Sequence, residues 1–395
     1  MPQVTGREEI LIMATPADRR IPVEEPMHTD FSRIDLSGAD LGLATPAHVR
    51  EAAKRALDEG ATHYTTRPGL DSLRQAVAAK LAHANGIMVK PDGEVLITCG
   101  SQEALFITLH VLLNPGDHVL IPQPANPAYA ALARQAHGRV FAVPGDPAHG
   151  FALDVAGLAR RVTTRTRMLV FASPASPAGT VADEATLQRI ADFAITHDLL
   201  VVADESLEPF VYDGAVHSSI AALPGMAERT VTINGFSHPY AMHGWRVGYV
   251  AGPARLIAPI TQLKQALSIC SPAVSQYAAV AAIEGSQAPV AEALQTATER
   301  RSCAVAALTE AGIPHIRPAG GLDVLVDARA LQRTGADLAR WVTHHSNVVL
   351  GSGAAYGPST ASWLRLGLTR PAPVIREAVD RLGPLFGSRR MTGVS

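Results

Sequence analysis

Short apolar runs alternate with helical patterns over residues 95–250, and this alternation restricts the fold more than any other feature. Each run is rich in aliphatic or β-branched residues, as strands covered on both faces are. We predict strands at Val95–Thr98, His118–Ile121, Met168–Phe171, Leu199–Ala203, Thr230–Ile233 and Arg246–Val250. We predict helices at Gln102–Leu113, Ala128–Ala136 and Asp183–Thr196. The pattern indicates an α/β fold with a mostly parallel sheet flanked by helices, in which ligands bind beyond the strand C-termini.

A long helical region at residues 256–310 leads out of this sheet, and a second alternating region follows it. There we predict strands at Leu322–Val326, Val348–Leu350 and Trp363–Leu368, and a last helix at Pro373–Leu382. This organisation predicts a large domain over residues 46–285 and a smaller α+β domain over residues 286–395. We expect the N-terminal arm, residues 1–45, to complete the smaller domain.

Composition excludes several classes of protein. The formal net charge of −2 gives no electrostatic reason to expect nucleic acid or a membrane surface as a partner. No apolar stretch approaches the ~18 residues of a membrane span, and the polar N-terminus does not resemble a signal peptide. Three scattered cysteines fit a reducing cytoplasm. We therefore expect a cytoplasmic protein with a small-molecule ligand and no metal site.

Two segments place polar residues where predicted strands end. In the first, Gly100 ends a strand and Ser101 opens a helix, so the free amides could bind a phosphate, or Ser101 could simply cap the helix. In the second, Asp204 and Glu205 follow an apolar strand. Asp204 could pair with a cationic ring nitrogen or a metal, or cap the turn that follows.

A third segment, residues 234–249, also follows a strand and is the most distinctive in the chain. It resembles the signature of the class I/II aminotransferases of pyridoxal-phosphate (PLP) fold type I. That signature reads Ser-Lys, a short spacer, Gly-Trp-Arg and then Gly-Tyr, and here His238 stands in place of the lysine. The nearby His243 could face the cleft, but we expect it to be exposed or to pack against its surroundings. Further matches, in order along the chain, are at residues 44–49, 63–74, 113–117, 212–214 and 363–366.

The resemblance implies a role for each matching residue. Asp204 would keep the pyridine nitrogen of the cofactor protonated. The cofactor phosphate would be held by Ser101, Gln102, Ser237 and Arg246, and by Tyr64 of a partner subunit. Arg365, with Gly38 in a lid-like N-terminal segment, would pair with a substrate carboxylate. Because the family's active sites are completed across an interface, the resemblance also implies a homodimer.

Four positions depart from the family's pattern. Besides His238, Ser176 replaces an asparagine and Leu207 a tyrosine that bind the cofactor's phenolic oxygen, and Asn126 replaces the aromatic residue that stacks on the ring. Imidazole cannot form an imine with the PLP aldehyde, although it can shuttle a proton because its pKa lies near ~6.5. We therefore expect no covalent bond between the chain and PLP.

Three hypotheses remain open on the sequence. In the first, the chain binds PLP or its amine form (PMP) noncovalently, and His238 is the acid/base on an amino- or keto-acid carboxylate in a dehydration, elimination or half-transamination. In the second, the cofactor has been abandoned, Arg246 and Arg365 hold an anionic substrate, and Asp204 or Glu205 assists His238. In the third, the chain is a catalytically silent partner subunit.

Overall fold

The computed structural model describes residues 32–387, so residues 1–31 of the predicted arm and the predicted terminus after residue 387 lie outside the described residues. The strands are β1 (Ile34–Asp35), β2 (Val95–Thr98), β3 (His118–Gln123), β4 (Arg139–Pro144), β5 (Thr166–Ala172), β6 (Leu200–Asp204), β7 (Thr230–Gly235), β8 (Gly248–Ala251), β9 (Asp323–Asp327), β10 (Val348–Val349), β11 (Gly351–Ser352) and β12 (Trp363–Gly367). The helices are α1 (Ala47–Asp58), α2 (Asp71–Asn85), α3 (Pro91–Glu94), α4 (Ser101–Leu112), α5 (Pro127–Gln135), α6 (Val155–Ala159), α7 (Glu184–Thr196), α8 (Ala254–Ser268), α9 (Ala273–Glu284), α10 (Ala288–Glu310), α11 (Gly335–Ser346) and α12 (Ala372–Gly387).

A seven-stranded sheet with the order β2-β8-β7-β6-β5-β3-β4 forms the centre of the fold. The strands from β7 to β4 run parallel, while β8 is antiparallel to both of its neighbours. All four residues of β2 and of β8 are buried, as are the first four of β6. Continuous burial of this kind requires helices on both faces of the sheet. The predicted α/β class, with a mostly parallel sheet, is therefore confirmed.

For the seven-stranded sheet, the strand predictions hold with one omission and one wrong start. All six predicted strands of the large sheet are present, but β4 was missed; it is an edge strand with a mostly half-buried pattern. The last of the six begins at Gly248, so the prediction that Arg246 lies in the strand is wrong. Arg246 instead has a left-handed backbone, with φ 50° and ψ 60°. This turn carries the guanidinium out of the sheet, toward the strand ends.

The predicted helical region at residues 256–310 is three helices, α8, α9 and α10. The breaks lie before Pro272, which precedes α9, and at Gly285, which ends it. No helix within residues 32–387 combines the length and the apolar character that crossing a lipid bilayer requires.

A second sheet, β11-β12-β9, is antiparallel and lies in the C-terminal part of the chain. β1 pairs in parallel with β10, and Leu36 and Leu41 join the same hydrophobic core as α10, α11 and α12. The arm thus packs with the C-terminal region. The domain boundaries after residues 45 and 285 stay predictions.

Candidate active site

A cleft of about 400 Å³ lies where β5, β6 and β7 end. This volume is in the range of small-molecule sites, and the position is the one expected for ligands of a parallel sheet. Nine predicted site residues line the cleft: Ser101, Gln102, Asn126, Ser176, Asp204, Ser237, His238, Arg246 and Arg365. Gly38 does not line it, but its carbonyl accepts a hydrogen bond from Arg365. Tyr64 is away from the cleft and 79% exposed.

One end of the cleft is built from the start of α4 and from Arg246. Gly100 is the N-cap residue of α4, with φ 84°, and no side chain caps the helix, so Ser101 is its first residue rather than its cap. Nη1 of Arg246 donates to the carbonyl of His243 at 3.0 Å, which holds the guanidinium over Gly100. A Cβ added to Gly100 would lie 2.5 Å from Nη2 of Arg246. The helix amides, the Ser237 hydroxyl and this guanidinium are the donors that a phosphate group requires.

Asp204 occupies the floor of the cleft, at the end of β6. Its Oδ2 accepts a hydrogen bond from the Tyr129 hydroxyl at 2.7 Å, and its Oδ1 accepts from the hydroxyl and the amide of Ser206 at 2.6 and 3.1 Å. Burial, followed by the neighbouring carboxylate, raises the pKa of Tyr129 well above its ordinary value. Tyr129 therefore stays a hydrogen-bond donor to Asp204.

His238 and His243 stand together at the side of the cleft. Nε2 of His243 lies 3.2 Å from Nδ1 of His238, and Nδ1 of His243 lies 3.4 Å from the Asp40 carboxylate. Burial, then the charge of His243, lowers the pKa of His238 to about 4, and Asp40 opposes that shift. His238 is therefore neutral at pH 7. His243 lines the cleft, which is the less favoured of the two positions considered in the sequence, because the turn at residues 243–246 brings its ring onto His238.

Two residues of opposite charge, Asp323 and Arg365, lie at the opposite end of the cleft. The Ser176 hydroxyl donates to Oδ2 of Asp323 at 2.7 Å, and Oδ1 of Asp323 lies 3.3 Å from Nη1 of Arg365. Nη2 of Arg365 donates to the carbonyls of Ser37 and Gly38. Burial raises the pKa of Asp323, while Arg365 and Ser176 oppose that shift.

One predicted residue lies outside the cleft, and another has a second role. Glu205 points away from the cleft, where its Oε2 accepts from Ser219 at 2.6 Å and lies 3.4 Å from His217. Its proposed role as a second acid in the cleft is therefore wrong, because alternate residues leave a strand on opposite faces. Asn126 lines the cleft, yet its side chain also caps α5 by accepting from the amide of Ala128.

None of the residues that line the cleft, within the part of the chain described, is a lysine. The sequence contains four lysines: Lys54, Lys80, Lys90 and Lys264. Lys264 is fully buried, but its ammonium is bound to Glu103 and Ser268. Lys80 is bound to Glu208 and Asn85.

The sequence analysis missed four residues of the site: Tyr129, Ser206, Asp323 and Tyr356. Tyr129 had a local signal, because it follows Asn126 and Pro127 by less than one helical turn. Asp323 had a weaker one, as a single carboxylate at the start of an apolar strand. Nothing in the local sequence indicates what Asp323 contacts.

Comparison with known proteins agrees with this architecture. The family profile "Aminotransferase class I and II" matches residues 32–382. The chain belongs to the class I and II aminotransferase family. It is 36% identical to the aspartate aminotransferase of Pyrococcus abyssi, over 91% of this chain and 93% of that protein. It is also 36% identical to an arginine–pyruvate transaminase of Pseudomonas aeruginosa, over 88% of each chain.

Solved structures of aminotransferases have the same fold as this family member. The crystal structure of the aromatic aminotransferase from Pyrococcus horikoshii OT3 superposes with a TM-score of 0.89 and 35% identity, covering 91% of this chain and 96% of that chain. The aspartate aminotransferase from Thermus thermophilus crystallised with maleate superposes with a TM-score of 0.86 and 31% identity, covering 90% and 92%. The aminotransferase scaffold is thus shared over nearly the full length of these proteins.

Proposed function

We propose that this aminotransferase-family protein binds PLP or PMP noncovalently, and that His238 takes the place of the family's Schiff-base lysine as the acid/base of the site. The observation that supports this most directly is a cleft lined by His238 and by no lysine among the described residues. The proposed substrate is an amino or keto acid that carries a carboxylate. Ordinary transamination, which the names of the relatives suggest, needs an amine at this position.

The donors around Gly100 fit the phosphate of such a cofactor. Ser101, Gln102, Ser237 and Arg246 would hold it, and the lack of a Cβ at Gly100 leaves room for Arg246 to stay beside the helix start. A phosphate gains from the partial positive charge at the N-terminus of α4. These residues therefore retain the anchoring function without a covalent bond.

Asp204 fits a cationic ring nitrogen. When bound, the cofactor supplies an electron sink at that ring. Asp204 would stabilise the ring's positive charge, and Tyr129 and Ser206 keep the carboxylate oriented through their hydrogen bonds.

His238 can hold or accept a proton at neutral pH. Since its Nδ1 faces His243, its Nε2 is the atom left for proton transfer with a ligand. A neutral imidazole is a competent base, and the nearby His243 can return the proton toward Asp40. This arrangement supports proton transfer within the cleft without an amine.

We further propose a homodimer in which Tyr64 of one subunit reaches the phosphate end of the other. Tyr64 is 79% exposed, Leu57 is exposed on α1, and α9, which packs against α1, exposes Tyr277. Such exposed apolar groups are typical of interfaces. The cytoplasmic location stays a prediction.

A cofactor-free enzyme is the second candidate function. The observation that favours it is the Ser176 hydroxyl, which already donates to Asp323 and so is engaged on the side where a phenolic oxygen would lie. In that case the cleft would bind an anionic substrate directly, with His238 as the acid/base.

The test is absorbance and thermal melting of the purified full chain with added PLP or PMP. We expect both to raise the melting temperature, PLP to give a bound chromophore without a Schiff-base band, and borohydride to leave no pyridoxyl mass on the chain. His238→Lys should acquire the Schiff-base band and a reduced adduct at position 238. His83→Lys, on the exposed face of α2, is the matched control and should acquire neither.

Each other outcome has a definite meaning. A pyridoxyl adduct on the wild-type chain would contradict the lysine-free assignment and restore ordinary transamination. Failure of both PLP and PMP to bind would support the cofactor-free enzyme. Failure of any small-molecule acid or phosphate to stabilise the chain would support a silent partner subunit.

A further inference from the structure

Ser176, Asp323 and Arg365 form a connected group at the end of the cleft opposite Gly100. Asp323 begins β9 opposite Gly367 of the adjacent strand β12, so Arg365, two residues before Gly367, is its diagonal neighbour on the same face of the sheet. Asp323 is 2% exposed and Arg365 9% exposed, which means that both charges are withdrawn from bulk water. Buried charges are costly unless they are paired, and here each is the other's counter-ion at 3.3 Å.

The guanidinium of Arg365 is already engaged on several sides. Besides Asp323 at Nη1, its Nη2 donates to the carbonyls of Ser37 and Gly38, while its buried Nε has no hydrogen-bond partner among the described residues. A ligand carboxylate would therefore meet a guanidinium whose charge is balanced, beside a carboxylate of like sign. The pair as a whole carries no net charge.

Asp323 is only partly engaged. Its Oδ2 accepts from Ser176, whereas its buried Oδ1 has the ion-pair contact with Nη1 of Arg365 at 3.3 Å but receives no hydrogen bond from any described residue. A buried acceptor without a donor is costly. It is satisfied most strongly by a cationic donor from a ligand, because hydrogen bonds between charged groups are the stronger ones.

The other charged residues of the cleft do not alter this balance. The charged side chains lining it are Asp204, Arg246, Asp323 and Arg365. Under the proposed function, on which this inference rests, Arg246 holds a phosphate and Asp204 a ring nitrogen. Of the charged residues that the structure describes in the cleft, the Arg365–Asp323 pair is then left to recognise the substrate.

We propose that Asp323 determines substrate specificity, and that the substrate carries one carboxylate together with a protonated amine or guanidine that does not itself react. The carboxylate is accepted by Arg365 and the cationic group by Asp323. A dicarboxylate would bring its second negative charge against Asp323 and is rejected. The cleft thus selects zwitterionic or basic acids over acidic ones.

The test compares glutarate with γ-aminobutyrate, which have the same three-methylene spacer and differ in one end group. Calorimetric titration of the full chain saturated with PMP, which reacts with neither probe, should show wild type binding γ-aminobutyrate at least tenfold more tightly than glutarate. Asp323→Asn should reverse the order, with glutarate gaining at least tenfold and γ-aminobutyrate losing at least tenfold. Asp327→Asn is the matched control, because Asp327 ends the same strand and pairs with Arg329 outside the cleft.

The wild-type comparison requires no variant, so it decides the matter even if Asp323→Asn does not fold. Wild type that prefers glutarate, or that binds neither probe while Asp323→Asn gains no glutarate affinity, overturns the inference. Failure of the proposed function appears separately, as a pyridoxyl adduct on the wild-type chain. His238→Asn, which removes the proposed acid/base, should leave the ratio of the two affinities unchanged.

Discussion

Nε2 of His243 lies 3.2 Å from Nδ1 of His238, so the imidazole that lines the cleft is hydrogen-bonded to a second imidazole. Asp40, whose side chain is 56% exposed, lies 3.4 Å from the far nitrogen of His243. Three titratable groups therefore connect the solvent-exposed side of the N-terminal segment with the cleft. In such a chain, the hydrogen-bond partner of one nitrogen of an imidazole determines whether the other nitrogen of that ring carries the proton.

The pKa of His238 should respond in opposite directions to its two neighbours. His243→Asn should raise it from about 4, because the charge of His243 is one of the causes that lower it. Asp40→Asn should lower it further, because the Asp40 carboxylate opposes the shift. The measurement is an NMR titration of the His238 ring carbon in each variant, with the exposed His83 as the internal control. Equal pKa values in all three proteins would show that the groups do not interact.

The lowered pKa of His238 should also make the stability of the protein depend on pH. Because the pKa of His238 is about 4 in the folded chain and 6.5 ordinarily, the unfolded chain binds more protons between these values. The stabilisation from this residue is therefore complete above pH 6.5 and is lost as the pH falls toward 4. The free energy of unfolding, measured by denaturant titration, should depend on pH differently in wild type and in His238→Asn below pH 6.5. Above pH 6.5 the two proteins should show a more similar pH dependence.

Gly100→Ala tests the phosphate end of the cleft against a control with the same backbone. Gly100 has φ 84° and Gly60 has φ 85°, so alanine at either position should lower the free energy of unfolding by about 1–3 kcal/mol. Only at position 100 would the new Cβ meet Arg246, at 2.5 Å, whereas nothing lies within 4 Å at position 60. We expect PMP affinity to fall at least tenfold in Gly100→Ala and to be unchanged in Gly60→Ala. Equal PMP affinities would place the phosphate elsewhere.

Tyr64 tests whether the site is shared between subunits. Light scattering should give twice the 41.6 kDa of one chain, and Tyr64→Phe should weaken PMP binding by roughly tenfold, the value of one hydrogen bond to a charged group. Met88→Ala is the control, because Met88 is 80% exposed. A monomeric chain whose Tyr64→Phe variant binds PMP as tightly as wild type would disprove the shared site.

The sheet was predictable because its strands are buried on both faces. Residues of β5 and β6 must be apolar at successive positions, so the run of letters itself marks a strand. β4 escaped prediction because an edge strand has a weaker apolar requirement. The predicted start of β8 was too early because the pattern of apolar and β-branched residues does not reveal that Arg246 has a positive φ.

Part of the site was predictable for the same local reason. Asp204, Ser101 and Arg246 directly follow or precede strands, and parallel strands end at one edge of the sheet. His243 was misjudged because a tight turn, rather than a strand or helix, sets the direction of its ring.

By itself, the sequence determined the α/β fold, the family and the presence of histidine at position 238, because these depend on the apolar pattern and on residue order. Only the tertiary structure decided which charged groups meet in that cleft. Ser176 and Asp323 are 147 residues apart in the chain and meet through a hydrogen bond, and Arg365 joins them from a neighbouring strand. The net charge of the cleft is set by groups from distant segments of the chain, so no local sequence pattern reveals it.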